Sequence, residues 1–187
     1  MKMFPDSNVE LIDLLQALPE SERGDAEPAK VLVWRDGVNK ILSAIKKTSI
    51  DLFKEHDVLE KDTTYYDTRR KKVLNKNARH NLCFAVEGIA PNIAEKQGTV
   101  IAFEHVPLTK YIRDALPELF GEKARNKNAE GNYYYDLNKT GIGFHGDSER
   151  RDVIGVRAGE DETSGFPIHY QWFYKSNPIG DRTIIEL

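Results

Sequence analysis

The sequence of 187 residues contains a single cysteine, Cys83, which excludes a disulfide framework within the chain. A lone thiol is typical of proteins in a reducing compartment, so we predict an intracellular protein, either cytoplasmic or nuclear. Cys83 lies in an apolar run, and we interpret it as a small buried hydrophobic residue.

Long apolar runs and a strong net charge are also missing. No stretch of about 18 uncharged apolar residues occurs, so we predict neither a membrane-spanning helix nor a membrane partner. Acidic residues come too early at the N-terminus for a secretory signal. The formal net charge of −3 excludes a global attraction to nucleic acid and leaves only a local basic patch.

Several catalytic motifs are absent as well. The sequence has no G-x-S-x-G, no P-loop, no G-x-G-x-x-G and no paired Cys and His, which gives no support to the reaction classes that use them. Apolar residues make up 40% of the chain, enough for a packed core. The length predicts one domain, which we expect to be a monomer.

Helical patterns dominate the first part of the chain. The apolar positions in residues 8–18 predict a helix that Pro19 ends, and Val31–Trp34 predict a short strand. A second helix is expected from Asp36, its N-cap, to about His56, with a weak point at Thr48-Ser49. We therefore expect residues 1–60 to form a helical flank, and Pro107 opens one further helix.

Strand patterns replace helical ones after residue 130. Earlier strands are expected at 81–85 and 99–103, and later ones at 132–137, 141–145, 153–156, 168–174 and 182–187. Helices followed by a series of short strands indicate an α+β fold with an antiparallel sheet.

A basic and aromatic segment separates the two parts. Between Lys61 and His80, seven Lys and Arg face two acidic residues, a local charge of +5. Tyr65 and Tyr66 precede the run Arg69, Arg70, Lys71 and Lys72. Cations bind phosphates and aromatic rings stack on bases, so this segment is a candidate nucleic-acid contact; the alternative is a solvated charged loop.

The most informative stretch is Ile142-Gly143-Phe144-His145-Gly146-Asp147-Ser148-Glu149. His145 and Asp147 are two residues apart, so on a strand both side chains point to one face. An imidazole and a carboxylate there can supply two ligands to a divalent metal, and a distant second His would complete the arrangement of non-haem iron oxygenases. The alternative is a His near a turn that only forms a local hydrogen bond.

With Tyr135 before it, this stretch resembles the AlkB-like Fe(II)- and 2-oxoglutarate-dependent dioxygenases. The resemblance covers most of residues 60–187, is strongest over 130–175, and includes virus and phage relatives through the loop and strand at 75–84. It implies a double-stranded β-helix, or jelly-roll, core over residues 61–187. A virus-encoded origin is one of the possibilities that it raises.

The resemblance also implies roles for individual residues. His145 and Asp147 would be the first two ligands of Fe(II), and Glu149 would contact the substrate base. Tyr135 would hydrogen-bond the co-substrate 2-oxoglutarate. Because Asn132 lies three residues before Tyr135 rather than two, Tyr133 occupies the expected slot. Either a bulge shifts the register or Tyr134 is the matching tyrosine.

The family's second iron His and its 2-oxoglutarate-binding Arg follow the HxD at a greater distance than this sequence extends. The sequence stops at Leu187, and His169 comes too early. Three explanations remain open at this point: a fragment, a second chain that supplies the missing ligands, or a relative that does not turn over.

The expected function is therefore oxidation of nucleic acid bases, by demethylation or hydroxylation, with Fe(II) and 2-oxoglutarate. The expected partner is DNA or RNA, single-stranded or with a flipped base, contacted by Tyr65, Tyr66, Arg69 and Arg70. Two alternatives remain: a non-catalytic nucleic-acid-binding or interaction module on the same fold, and an iron oxygenase with a protein or small-molecule substrate.

Overall fold

The computed structural model describes residues 8–136, 138–139, 143–147, 152–161 and 167–186. Four helices are found in them: α1 (Glu20–Arg23), α2 (Gly37–Ser43), α3 (Ser49–Asp57) and α4 (Pro107–Phe120). The strands are β1 (Val9–Asp13), β2 (Lys30–Trp34), β3 (Thr64–Asp67), β4 (Lys72–Asn75), β5 (Arg79–Ala85), β6 (Val100–Ala102), β7 (Ala129–Tyr134), β8 (Ile168–Tyr174) and β9 (Asn177–Ile185). The predicted substrate contact Glu149 lies outside the described residues.

The strands form small sheets, so the fold is of the mixed α+β class. Three antiparallel pairs, β1–β2, β3–β4 and β8–β9, accompany a three-stranded sheet in the order β6–β5–β7. In that sheet β5 is parallel to β6 and antiparallel to β7. No helix in the described part of the chain has the length and apolar character needed to cross a membrane.

The predicted helix over residues 8–18 is wrong. Residues Val9–Asp13 form strand β1, and a short 3₁₀ turn follows at Leu14–Ala17, where the Asp13 carboxylate accepts the N–H of Leu15. β1 pairs along its whole length with β2. The N-terminal flank is therefore not purely helical, because pairing with a distant strand overrides the local helical pattern.

The single helix predicted from Asp36 to His56 is divided into α2 and α3 at the expected weak point. The Thr48 hydroxyl accepts the Asp51 N–H and the Asp51 carboxylate accepts the Thr48 N–H, which is a capping box. Asp36 occupies the predicted N-cap position of α2, but its side chain forms no capping hydrogen bond. It has a left-handed backbone, and its carboxylate accepts the side-chain N–H of Asn39.

The expected strands at 81–85, 99–103 and 168–174 are confirmed as β5, β6 and β8. Cys83, however, is exposed rather than buried. Leu82 and Phe84 point into the core, and alternation along β5 sends the thiol between them to the other face. Around residues 57–80, where no regular pattern is visible in the sequence, the chain forms the hairpin β3–β4.

Two other predicted strands, at 141–145 and 153–156, do not form in the residues described. Residues 143–147 and 152–156 have no regular secondary structure. A strand exists only where a neighbour accepts and donates its backbone hydrogen bonds, and the described chain supplies no paired neighbour to these segments. Two further predicted strands form but begin earlier than expected, β7 at Ala129 and β9 at Asn177.

Two buried clusters form the core. The first joins the three longer helices and consists of Leu42, Leu52, Ile112, Leu116 and Ala124. The second lies between the three-stranded sheet and the start of α4 and consists of Leu82, Phe84, Phe103 and Val106. Removing these side chains from water is the main favourable contribution to folding.

A side chain from α3 caps α4. Val106, at the N-cap position of α4, provides no side-chain acceptor. The Glu55 carboxylate instead accepts hydrogen bonds from the N–H of Leu108 (2.7 Å), the N–H of Thr109 (2.9 Å) and the Thr109 hydroxyl (2.8 Å). A negative charge at this end of the helix also interacts favourably with the helix dipole.

The C-terminal hairpin contacts the N-terminal segment. The indole N–H of Trp172 donates to the Leu14 carbonyl at 2.8 Å, and the Arg35 guanidinium donates to the Glu186 carbonyl at 2.6 Å. A β-carbon placed at Gly180, whose φ is +65°, would lie 2.2 Å from the Ala17 carbonyl oxygen, so only glycine allows this approach.

We expect Glu55→Ala to lower the free energy of unfolding by about 2–4 kcal/mol, because it leaves partly buried donors at the start of α4 without an acceptor. Glu55→Gln should lower the free energy of unfolding by less, since the amide keeps a carbonyl oxygen as an acceptor. Urea unfolding followed by circular dichroism measures the change. Glu104→Ala, which removes an exposed carboxylate from the same region, is the matched control and should change stability by less than about 0.5 kcal/mol. Equal losses for Glu55→Ala and Glu104→Ala would contradict the capping role.

Candidate functional site

His145 and Asp147 lie next to each other in an irregular segment. The His145 Nε2 atom is 4.0 Å from an Asp147 carboxylate oxygen, and the side chains are 60% and 37% exposed. The His145 Nδ1 atom is 2.8 Å from the Gly143 carbonyl oxygen. A carbonyl oxygen can only accept a hydrogen bond, so Nδ1 carries the proton and Nε2 of the neutral ring presents a lone pair.

This is the arrangement of a metal-binding histidine, whose second ring nitrogen usually donates to a carbonyl or carboxylate. With metal–ligand bonds of about 2.1 Å, two adjacent ligands lie about 3 Å apart, so the two side chains would have to approach by about 1 Å. Their exposure allows this movement. The alternative is a surface ion pair formed when His145 is protonated, which contributes about 0–1 kcal/mol.

The donor set is incomplete for iron. Across the described ranges, no group of three or more His, Cys, Asp or Glu side chains is placed to hold a metal ion. His145 and Asp147 would therefore be only two of the three protein ligands that a two-His, one-carboxylate site requires. The other four histidines of the sequence, at positions 56, 80, 105 and 169, all lie in described residues, and none of them forms such a group with this pair.

An aromatic contact connects this segment to the β8–β9 hairpin. The Phe144 ring lies 5.7 Å from the Phe173 ring, and the Arg182 guanidinium lies 5.1 Å from the centre of the Phe144 ring. Sequence reasoning missed this contact, because residues so distant along the chain carry no shared pattern. It holds the residue before His145 against a strand pair although the segment itself is irregular.

Tyr133, one of the two predicted 2-oxoglutarate contacts, packs against helix α3. Its hydroxyl donates to the Asp57 carboxylate at 3.0 Å, and its ring stacks on Phe53 with 6.2 Å between centroids. The Lys61 ammonium lies 4.4 Å from the ring centre. Partial burial raises the pKa of Tyr133, and the hydrogen bond to Asp57 acts in the same direction.

Tyr135 follows the end of β7 and contacts the start of β5. Its hydroxyl accepts the Ala78 N–H at 2.8 Å, and its ring lies 4.6 Å from the His80 ring. Within the described residues, the contacts of Tyr133 and Tyr135 are therefore with α3 and residues 78–80 rather than with His145 and Asp147. Their binding of 2-oxoglutarate stays a prediction.

The basic segment becomes the tip of the β3–β4 hairpin. Asp67 accepts the backbone N–H groups of Arg69 (2.9 Å) and Arg70 (2.8 Å), and these bonds lower its pKa. Lys71 has a φ of +52°, which closes the turn. The hairpin therefore presents four consecutive exposed cationic side chains at one end: Arg69, Arg70, Lys71 and Lys72.

The predicted tyrosines lie on β3, close to this tip. Tyr65 pairs with Leu74 and is 42% exposed, while Tyr66 pairs with Val73 and is half-buried. The structure thus places the predicted aromatic and basic side chains on one hairpin. It also adds a residue that the sequence did not indicate, Lys96, whose ammonium lies 5.5 Å from the centre of the Tyr66 ring.

Comparison with known proteins gives one informative match. The chain is 41% identical over 180 residues, 96% of its length, to an uncharacterized protein of Acanthamoeba polyphaga mimivirus. It spans 66% of the length of that viral protein, which is just under two thirds. No protein-family profile matches the sequence. No solved structure matches it either.

We expect the neutral His145 ring to carry its proton on Nδ1, because the Gly143 carbonyl can only accept a hydrogen bond. Two-bond ¹H–¹⁵N correlation spectra of the metal-free protein distinguish the two tautomers. Exposed His105, which lies 3.6 Å from Glu104, is the internal reference, because no carbonyl among the described residues accepts a hydrogen bond from its Nδ1. An Nε2–H tautomer at His145 would contradict the geometry and remove its metal-binding lone pair.

Proposed function

We propose that this chain carries the metal-binding segment of an Fe(II)- and 2-oxoglutarate-dependent dioxygenase. The observation that carries the proposal is the pair formed by His145 and Asp147, whose Nε2 and carboxylate oxygen lie 4.0 Å apart while the Gly143 carbonyl holds the other ring nitrogen. A neutral imidazole and a carboxylate are the ligand types of such iron sites.

Each residue has a distinct task in this proposal. Nε2 of His145 donates a neutral lone pair, and Asp147 supplies a negative charge that offsets part of the charge of Fe(II). The Gly143 carbonyl fixes the ring orientation, and the Phe144–Phe173 contact holds the segment in place. When bound, iron with 2-oxoglutarate supplies the oxidation of a C–H bond by dioxygen.

The proposal extends to the core architecture and to the substrate. A jelly-roll core is compatible with the antiparallel pairs β5–β7 and β8–β9. Nucleic acid is the proposed substrate class, because the basic hairpin offers cations to phosphates and Tyr65 offers an exposed ring to a base.

We expect Asp147→Ala and His145→Ala each to weaken Fe(II) binding about tenfold or more, because each removes one of two described ligands. Anaerobic calorimetric titration with Fe(II), with and without 2-oxoglutarate, measures the affinity. His105→Ala is the matched control, since it alters an exposed His beside an acid, and it should bind iron as the wild type does. Unchanged affinity in Asp147→Ala, or no measurable affinity in the wild type, would overturn the iron site.

The second candidate function is nucleic-acid binding without catalysis. It is favoured by the hairpin tip, where four consecutive cationic side chains, residues 69–72, are exposed beyond Tyr65 and Tyr66. The cationic side chain at each of these positions can replace a condensed counterion on a phosphate strand. This candidate needs no metal, so the two candidates can be tested separately.

We expect replacement of Arg69, Arg70, Lys71 and Lys72 by Gln to abolish most binding to single-stranded DNA. The slope of log affinity against log salt should fall by about 3, since each lost phosphate contact contributes about 0.7. Fluorescence anisotropy with a labelled dT oligonucleotide measures the affinity and its dependence on salt concentration. A control removes the same number of exposed lysines elsewhere, at positions 47, 54, 123 and 127. Equal loss in both variants would indicate only nonspecific attraction.

A further inference from the structure

A cavity of about 170 Å³ lies where the β3–β4 hairpin meets the turn before β6. We call it the Lys76 cavity, and its lining includes Asp62, Thr64, Tyr65, Tyr66, Lys76 and Lys96. Space of this size is large enough for a phosphate group or a single ring.

Lys76 is a cation without a direct partner in this cavity. It is half-buried, and in the part of the chain that the structure describes its ammonium group forms no hydrogen bond or ion pair. Burial lowers the pKa of this ammonium group, while the Asp62 carboxylate acts in the opposite direction. A half-buried ammonium without a hydrogen-bonding anion is costly, and a bound anion would remove that cost.

Asp62 lines the same cavity, but its oxygens are already used. One carboxylate oxygen accepts the Thr99 N–H at 2.8 Å and the other accepts the Thr99 hydroxyl at 2.6 Å. A β-carbon at Gly98 would lie 2.7 Å from the first oxygen, so the glycine gives Asp62 the room to turn toward Thr99. Asp62 therefore holds the β6 side of the cavity together and leaves Lys76 for another anion.

Lys96 brings a second cation from a different element. It follows a 3₁₀ turn, has a φ of +64°, and its ammonium lies above the Tyr66 ring. The bridge between Asn92 and Gln97 closes this turn on itself. Two lysines thus line one concave site, with Tyr65 exposed near it.

We propose that the Lys76 cavity binds the phosphate group of a phosphate ester, with Lys76 and Lys96 as its cationic partners and Tyr65 beside the attached ring. Lysine ammonium groups suit this role because each donates up to three hydrogen bonds to phosphate oxygens. The inference depends on the cavity alone, so it stands or falls independently of the iron site and of the hairpin tip.

The test is a titration of the ¹⁵N-labelled protein with thymidine monophosphate, inorganic phosphate and thymidine, at constant ionic strength and with a chelator present. The amide of Gly98, which lines the cavity, reports binding locally. We expect saturable shifts with both phosphates and none with thymidine. Tighter binding of thymidine monophosphate than of inorganic phosphate would show that the thymine ring also contacts Tyr65.

Variants locate the site. We expect Lys76→Gln and Lys96→Gln each to weaken phosphate binding about tenfold or more. Lys123→Gln, which alters an exposed lysine outside the cavity and the hairpin tip, should leave it unchanged. Lys96 is exposed, so its substitution should not affect folding even if Lys76→Gln does. The proposal is overturned by non-saturable shifts, by equal binding of thymidine, or by wild-type affinity in Lys96→Gln.

A last comparison distinguishes the two sources of the phosphate. A dT trinucleotide with a 5′-phosphate that binds more tightly than thymidine monophosphate would identify a nucleic acid end as the ligand. Equal affinity would identify a free phosphate ester. Both outcomes support the cavity, and binding of the trinucleotide without its 5′-phosphate at full affinity would contradict it.

Discussion

The arrangement of the helices and the three-stranded sheet depends on the hydrogen bonds that the Glu55 carboxylate accepts. This carboxylate supplies the acceptors that the first residues of α4 need and that Val106 cannot provide. The neighbouring residue, His56, bonds to the Thr109 hydroxyl and packs its ring 4.9 Å from the Phe84 ring of β5. Burial lowers the pKa of His56, so the neutral ring suits this position. One turn of α3 thereby joins α4 to the three-stranded sheet.

The two candidate sites are held in place by different kinds of contact. The Lys76 cavity lies between elements with paired backbones, the β3–β4 hairpin and the bridged turn before β6. The segment with His145 and Asp147 has no such pairing within the described residues, and contacts of the Phe144 ring with Phe173 and Arg182 position it. The geometry of a metal bound there would therefore respond to changes on the β8–β9 hairpin.

Sequence patterns predicted the helices and strands that are determined by neighbouring residues. Pro107 and the apolar spacing after it predicted α4, and the apolar runs predicted β5 and β8. β1 was mistaken for a helix because its pairing with β2 leaves no local trace. The closeness of His145 and Asp147 was expected from a strand, but a hydrogen bond to Gly143 accompanies it in an irregular segment instead. Lys96 and Lys76 line the same cavity only because of the way the turn folds, which no spacing in the sequence encodes.

The contacts between the two ends of the chain affect the order of folding. The Leu14 carbonyl accepts its hydrogen bond from the Trp172 indole, and Arg35 donates to the Glu186 carbonyl. Neither bond can form until these later residues have been synthesised. During synthesis the β1–β2 hairpin leaves the ribosome before the β8–β9 hairpin, whose residues it contacts. Contacts this distant in sequence carry a large loop-closure cost and slow the folding reaction. The β1–β2 pair therefore reaches its final position only after the β8–β9 hairpin has been synthesised.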